Sequence, residues 1–92
     1  RGTWGARGQV LTNDKLGKLI FSAYHSGGAF RDVAYLLGVA TEDQTATNGG
    51  GRIEFYTTAN GSTSPTKRLY VDQDGTTHAL GDVDLNGNSL KN

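Results

Sequence analysis

One copy of this chain carries too few large apolar side chains to close an interior of its own. Leu, Ile, Val and Phe together supply 19 of its 92 residues, close to the ~20% level under which a highly charged chain stays unfolded. Charge does not push it that way, because nine basic residues offset nine acidic ones. A domain of this length buries only roughly 60–65% of the surface that its extended chain exposes. Much of the remainder is turn-forming: 14 glycines, with many Thr, Asn, Ser and Asp, each suited to tight bends. A thin core with many turns points to burial supplied from outside, and further copies of the same chain are the simplest source.

The apolar residues that are present recur at every second position. In Lys18-Leu19-Ile20-Phe21-Ser22-Ala23-Tyr24, Leu19, Phe21 and Ala23 share one face. Arg52-Ile53-Glu54-Phe55-Tyr56-Thr57 places Ile53 and Phe55 on one face and Arg52, Glu54 and Tyr56 on the other. Lys67-Arg68-Leu69-Tyr70-Val71-Asp72 repeats the scheme with Leu69 and Val71. Short strands with one wet face describe antiparallel sheet. Residues 29–40 carry the best helix signal. Val33, Tyr35, Leu37 and Val39 nevertheless alternate with other residues and Gly38 interrupts, so a strand is expected there too. Asn60-Gly61 and Asp74-Gly75 tolerate the positive φ of hairpin turns, and Pro65 falls in a loop, where its missing N–H costs nothing. Residues 41–50 read as a flexible surface loop. Gly17-Lys18-Leu19-Ile20-Phe21 is echoed by Gly51-Arg52-Ile53-Glu54-Phe55, 34 residues on. Two related strand–turn–strand units could therefore pair as one sheet or face each other as a small sandwich.

Other classes lose ground on composition. No basic stripe gathers phosphate charge, so no nucleic-acid partner is expected. No run of about 18 apolar residues is present, so no membrane insertion is expected. With no cysteine, disulfides, thiol catalysis and Cys-based zinc sites are excluded. A start at Arg1 and the lack of any Met lead us to expect an internal or processed piece of a longer chain.

The order of these motifs resembles a segment of bacteriophage tail fibre and tailspike proteins, of the kind often found upstream of an intramolecular chaperone domain. The likeness rests on Arg1-Gly2-Thr3, on Leu16 to Phe21 with Tyr24 and Gly27, and on Ala29-Phe30. It continues through Gly51 to Thr58, Ser64-Pro65-Thr66 to Asp72, and Asp74-Gly75. Asp84-Leu85-Asn86-Gly87-Asn88-Ser89-Leu90 is similar to the shaft repeats that follow. The resemblance implies a homotrimeric virion component of the phage tail that carries or positions a host-receptor site. Residues 41–50 are not distinctive for the family, and no chaperone domain is present, so self-cleavage is not implied.

Several groups could carry chemistry. Asp82-Val83-Asp84-Leu85-Asn86-Gly87 reproduces the first six positions of an EF-hand calcium loop. Val83 and Leu85, however, keep strand phase, and the closing Glu would fall past Asn92, so a turn-rich ribbon is expected and no metal or other cofactor. His25 and His78 lack a nucleophile-elbow motif beside them. Paired carboxylates for glycoside cleavage could come from Glu54, Asp72, Asp74, Asp82 or Asp84. For Glu54 an exposed cross-strand pair with Arg68 is the expected role. No catalytic residue is assigned. Trp4, Tyr24, Tyr56 and Tyr70 are the better functional candidates. Such rings suit either a subunit interface or a sugar face, with a host cell-surface glycan as the partner in the second case.

The sequence thus predicts an all-β chain of short antiparallel hairpins. Residues 1–78 form a small sandwich-like module with a core of Leu19, Phe21, Ile53, Phe55, Leu69 and Val71. Residues 79–92 begin a shaft-like β ribbon. Copies intertwine as a homotrimer with Leu80, Val83, Leu85 and Leu90 at the axis.

Overall fold

A computed structural model describes residues 8–89. It holds five strands: β1 (Lys15–His25), β2 (Ala29–Ala40), β3 (Gly51–Thr57), β4 (Thr66–Val71) and β5 (Thr77–Ala79). They form one antiparallel sheet in the order β1-β2-β3-β4-β5, with no helix among the described residues. The all-β expectation holds, but the two related units do not face each other as a sandwich within one chain. They join edge to edge in a single layer, 45 × 43 Å across and 13 Å thick. A second sheet would add ~10 Å. The echoed pentapeptides run in the same direction on β1 and β3, with β2 between them.

Turn chemistry fixes the connections. β1 and β2 are joined through Ser26-Gly27-Gly28, where the Gly28 N–H donates to His25 O at 3.0 Å and Gly28 adopts φ +90°. Asp72 to Thr76 repeats this geometry, with Gly75 N–H on Asp72 O at 3.0 Å and Gly75 at φ +87°. Both are three-residue hairpin loops closed by a residue in the left-handed region, which glycine enters without a Cβ clash. The 41–50 stretch is a surface loop, as expected, and it is hydrogen-bonded within itself and to residues 9–14. Gly50 N–H donates to Glu42 Oε2 at 2.7 Å and Gln44 N–H to Val10 O at 2.8 Å. Thr12 N–H donates to Asp43 Oδ1 at 2.8 Å. Residues 9–14 and 41–50 thereby close one end of the sheet together.

Three bulges break the ladders. They fall between Lys15 and Gly17, at Val33 opposite Phe21 and Ser22, and at Arg68 opposite Phe55 and Tyr56. Each inserts one residue without a cross-strand partner and re-aims its neighbours. The Val33 carbonyl accepts from Thr58 Oγ1 at 2.8 Å, just past the Ala34–Thr57 pair that ends the β2–β3 ladder.

The interior is thinner than the sequence predicts. Among the described residues the buried apolar side chains are Leu37, Val39 and Ala40, all at the end of β2. The expected core does collect on one face, in two rows across the sheet. Leu19, Leu36, Phe55 and Leu69 form one, and Gly17, Gly38, Ile53 and Val71 the next. That face is not closed. Leu19, Phe21 and Ile53 stay 56%, 54% and 49% exposed, because no second layer lies over them among the described residues. Residues 80–89 hold no strand. Their bend is a primed turn, with Asn86 at φ +52°, Gly87 at φ +82° and Asn88 N–H on Leu85 O at 2.9 Å. Ala79 still pairs with Leu69, so the sheet continues past residue 78.

Candidate functional site

Alternation along five strands gives the sheet two chemically different faces. The polar face is built around Glu54 in the middle of β3. Leu37 and Tyr70 lie directly across from it on β2 and β4. The sequence places this carboxylate on a wet face, paired with Arg68. The structure overturns both points. Glu54 is 3% exposed. It accepts from Arg52 Nε at 2.7 Å, Tyr56 Oη at 2.9 Å and Lys67 Nζ at 3.3 Å. The β4 bulge explains the change of partner: it shifts the strand by one residue, so that Lys67 rather than Arg68 comes opposite Tyr56. Arg68 instead donates to Thr57 Oγ1 at 2.9 Å.

Burial raises the pKa of Glu54, but the hydrogen bonds from Arg52, Tyr56 and Lys67 outweigh it and hold the carboxyl below its ordinary value. It stays charged at neutral pH and has no proton to give. Tyr56 responds in the opposite sense. Burial, and then its bond to the Glu54 carboxylate, push its hydroxyl up to about 12.

Rings and cations extend this cluster. Tyr56 stacks on Tyr35 with centroids 4.4 Å apart, and Lys18 Nζ lies 4.0 Å from the Tyr35 ring centre. Tyr70 stacks on His78 at 4.5 Å, with Arg52 and Lys67 at 5.4 and 5.3 Å from its ring. Sequence alternation puts Tyr24, Tyr56 and Tyr70 on one face, and the registers agree. Their surroundings differ. Tyr56 and Tyr70 are half-buried and committed to neighbours within the chain, whereas Tyr24 is 65% exposed. Tyr24 meets the still more exposed Phe30 edge to face at 5.1 Å, next to the hairpin turn. On the adjacent rung Ser22 Oγ donates to Asp32 Oδ1 at 3.2 Å. Tyr35 and Phe30 were not singled out from the sequence, although the alternation of β2 carries the signal for Tyr35. Trp4 lies outside the described residues.

The remaining titratable groups are dispersed. His25 Nδ1 accepts from the Gly27 N–H at 3.0 Å and so caps its turn. His78 Nε2 is 3.8 Å from Asp72 Oδ2. Asp74 accepts from the Thr76 N–H, which holds its carboxyl below the usual value. Asp84 accepts from the Asn86 N–H at 2.8 Å. Among the described residues no three of His, Asp or Glu gather where they could hold a metal ion.

The other face is apolar. Leu16 is brought onto it by the first β1 bulge, and its Cβ lies 3.8 Å from where a Cβ on Gly38 would stand. Leu16, Gly38, Gly51, Ile53, Phe55 and Val71 line a groove of about 470 Å³ there. Of the residues expected at a trimer axis, Leu80, Val83 and Leu85 are exposed, and Leu90 lies outside the described residues.

No protein-family model matches the chain, and no curated protein does. Among solved structures, it is similar to the carboxy-terminal domain of the bacteriophage T5 L-shaped tail fibre. The TM-score is 0.70 at 20% identity, over 89% of this chain and 31% of that one. At this identity the likeness establishes a shared fold. The chain spans about a third of the length of that tail-fibre chain. The fold thus agrees with the family that the sequence motifs resemble.

Proposed function

We propose that this chain is a structural segment of a phage tail fibre or tailspike, a component of the virion tail, and that it works as a homotrimer supporting host-receptor attachment. One observation carries the reading. A single-layer sheet turns an apolar face outward with nothing among the described residues to cover it. Leu16, Leu19, Phe21 and Ile53 alone expose on the order of 400 Å² of side chain, the size of patch that marks an interaction surface. Burying it is worth roughly 10 kcal/mol per copy before the cost of association. The shared fold with a tail-fibre domain supports the same reading.

The role is mechanical. Three sheets set their apolar faces toward a common axis and their polar faces toward water. Residues 79–92 lead into a shaft, with Leu80, Val83, Leu85 and Leu90 inward. No cofactor, nucleic acid or membrane takes part. Sedimentation equilibrium at micromolar concentration tests this: a mass of three chains is expected, and a stably folded single chain would refute it.

A second reading, a carbohydrate-binding module of the same fibre using Trp4, Tyr24, Tyr56 and Tyr70, draws on Tyr24 and Phe30. These form an open aromatic pair beside the Ser22 hydroxyl and the Asp32 carboxylate, groups able to stack on a sugar ring and bond its hydroxyls. Glycan-array binding lost in Tyr24→Ala, with assembly intact, would favour it; an array without signal would remove it.

A further inference from the structure

We infer that Phe21 of one copy seats in the glycine-floored groove of the next, and that this contact, repeated around a ring, joins the copies. The inference rests on the trimeric reading above and assigns the residues that make the trimer. Knob and hole stand on the same apolar face. Phe21 projects from β1, the edge strand of the sheet among the described residues, 54% exposed, beside the bulge that re-aims its end of the ladder. The groove runs from β1 to the end of β4: Gly38 and Gly51 contribute no side chain, Leu16, Ile53, Phe55 and Val71 form apolar walls, and Arg52 and Asp72 also line it. Its 470 Å³ falls within the ~300–1,000 Å³ typical of sites that take a small apolar group.

A chain cannot fill its own groove. Phe21 pairs with Ala34, four residues along β2 from Gly38, a distance of about 13 Å. A knob and a hole on one surface can meet reciprocally in a two-fold pair or head to tail in a ring; the ring is the arrangement that the trimeric reading requires. A large side chain seated in a well-packed pocket near the centre of an interface carries much of its binding energy.

Two measurements test the inference. Phe21→p-benzoylphenylalanine keeps an aromatic knob and, when irradiated, inserts into neighbouring C–H bonds. In a mixture of isotopically light and heavy full-length chains, adducts between light and heavy peptides are expected at Ile53, Phe55 or Val71. A species that sediments as three chains but gives no adducts in the groove would overturn the inference and leave the fibre reading standing. A species that sediments as one chain would sink both. Gly38→Val fills the hole. A Cβ there meets nothing closer than 3.8 Å, and valine suits a strand better than glycine, so the sheet is expected to stay folded by circular dichroism. Association should weaken by about tenfold or more. Unchanged assembly of Gly38→Val would refute the seat.

Discussion

Replacing Glu54 by glutamine keeps the shape of the side chain and removes its charge, in the one place where the sheet buries a carboxylate. Three donors converge on it: Arg52 at 2.7 Å, Tyr56 at 2.9 Å and Lys67 at 3.3 Å. A hydrogen bond to a charged partner contributes about 1.5–3 kcal/mol. The amide of the variant would still offer one carbonyl oxygen, and Arg52 and Lys67 keep 27% and 31% of their side chains in water, so both cations recover part of their hydration. Glu54→Gln is therefore expected to cost about 2 kcal/mol at pH 7, short of the ~3–5 kcal/mol for breaking a fully buried pair.

The pH dependence separates charge from shape. The folded pKa of Glu54 lies below its unfolded value of 4.5. Its contribution is therefore complete well above pH 4.5 and is lost as pH falls through the folded value. The gap between wild type and variant should be constant from pH 6 to 8 and close as the solution is acidified below about 4.5. Urea denaturation followed by far-ultraviolet circular dichroism measures it, at one fixed chain concentration because assembly raises apparent stability. A variant within about 0.5 kcal/mol of wild type at pH 7, or a gap that persists unchanged at pH 3, would refute this account of the cluster.

Three further outcomes are expected. With its folded pKa raised from 10.0 to about 12, Tyr56 stabilises fully below pH 10, and that share is lost as pH rises from 10 to 12. Tyr56→Phe should cost about 1 kcal/mol at pH 7 and remove the alkaline slope, both read from the same denaturation curves. Gly75→Ala should destabilise by about 1 kcal/mol through the left-handed backbone alone, since nothing lies within 4 Å of the added Cβ, whereas Gly81→Ala, without that φ, should melt with the wild type. Ile53→Asp puts a charge on a half-exposed apolar position. It should leave a folded sheet that no longer sediments as three chains.

Much of the fold was legible because period two is a strong signal where the apolar residues obey it. Ile53 and Phe55, Leu69 and Val71, and Leu19 and Phe21 all fall on the face that alternation assigns. Glycine marked both three-residue hairpin loops. β5 was missed because Thr77-His78-Ala79 offers three residues and no apolar alternation. The bulges were invisible for a different reason. An unpaired residue such as Arg68 or Val33 looks like any other in the sequence, yet it moves every later side chain by one rung. The Glu54 site followed from that unseen shift. Its burial comes from the side chains around it, Leu37, Tyr70 and the stems of Arg52 and Lys67, which no single-strand pattern contains.

The shortage of apolar residues was legible as a total, but not in its location. A sheet whose two faces were equally poor would give no direction for assembly. Here the part of the polar face around Glu54 is satisfied within one chain. Glu54 has its donors, Tyr35 and Tyr56 stack, and Tyr70 is packed between His78 and two cations. Among the described residues no buried side-chain nitrogen or oxygen lacks a partner. The opposite face has no such closure, because apolar groups gain only by leaving water and nothing among the described residues lies above them. On the polar face the exposed apolar groups are confined to the β1–β2 end, at Ile20, Tyr24 and Phe30. The closed cluster around Glu54 therefore favours copies that meet through the opposite face, with the charged cluster outward, over filaments that grow from the sheet edges. If edges drove assembly, Ile53→Asp would leave it intact; if the face drives it, Ile53→Asp abolishes it.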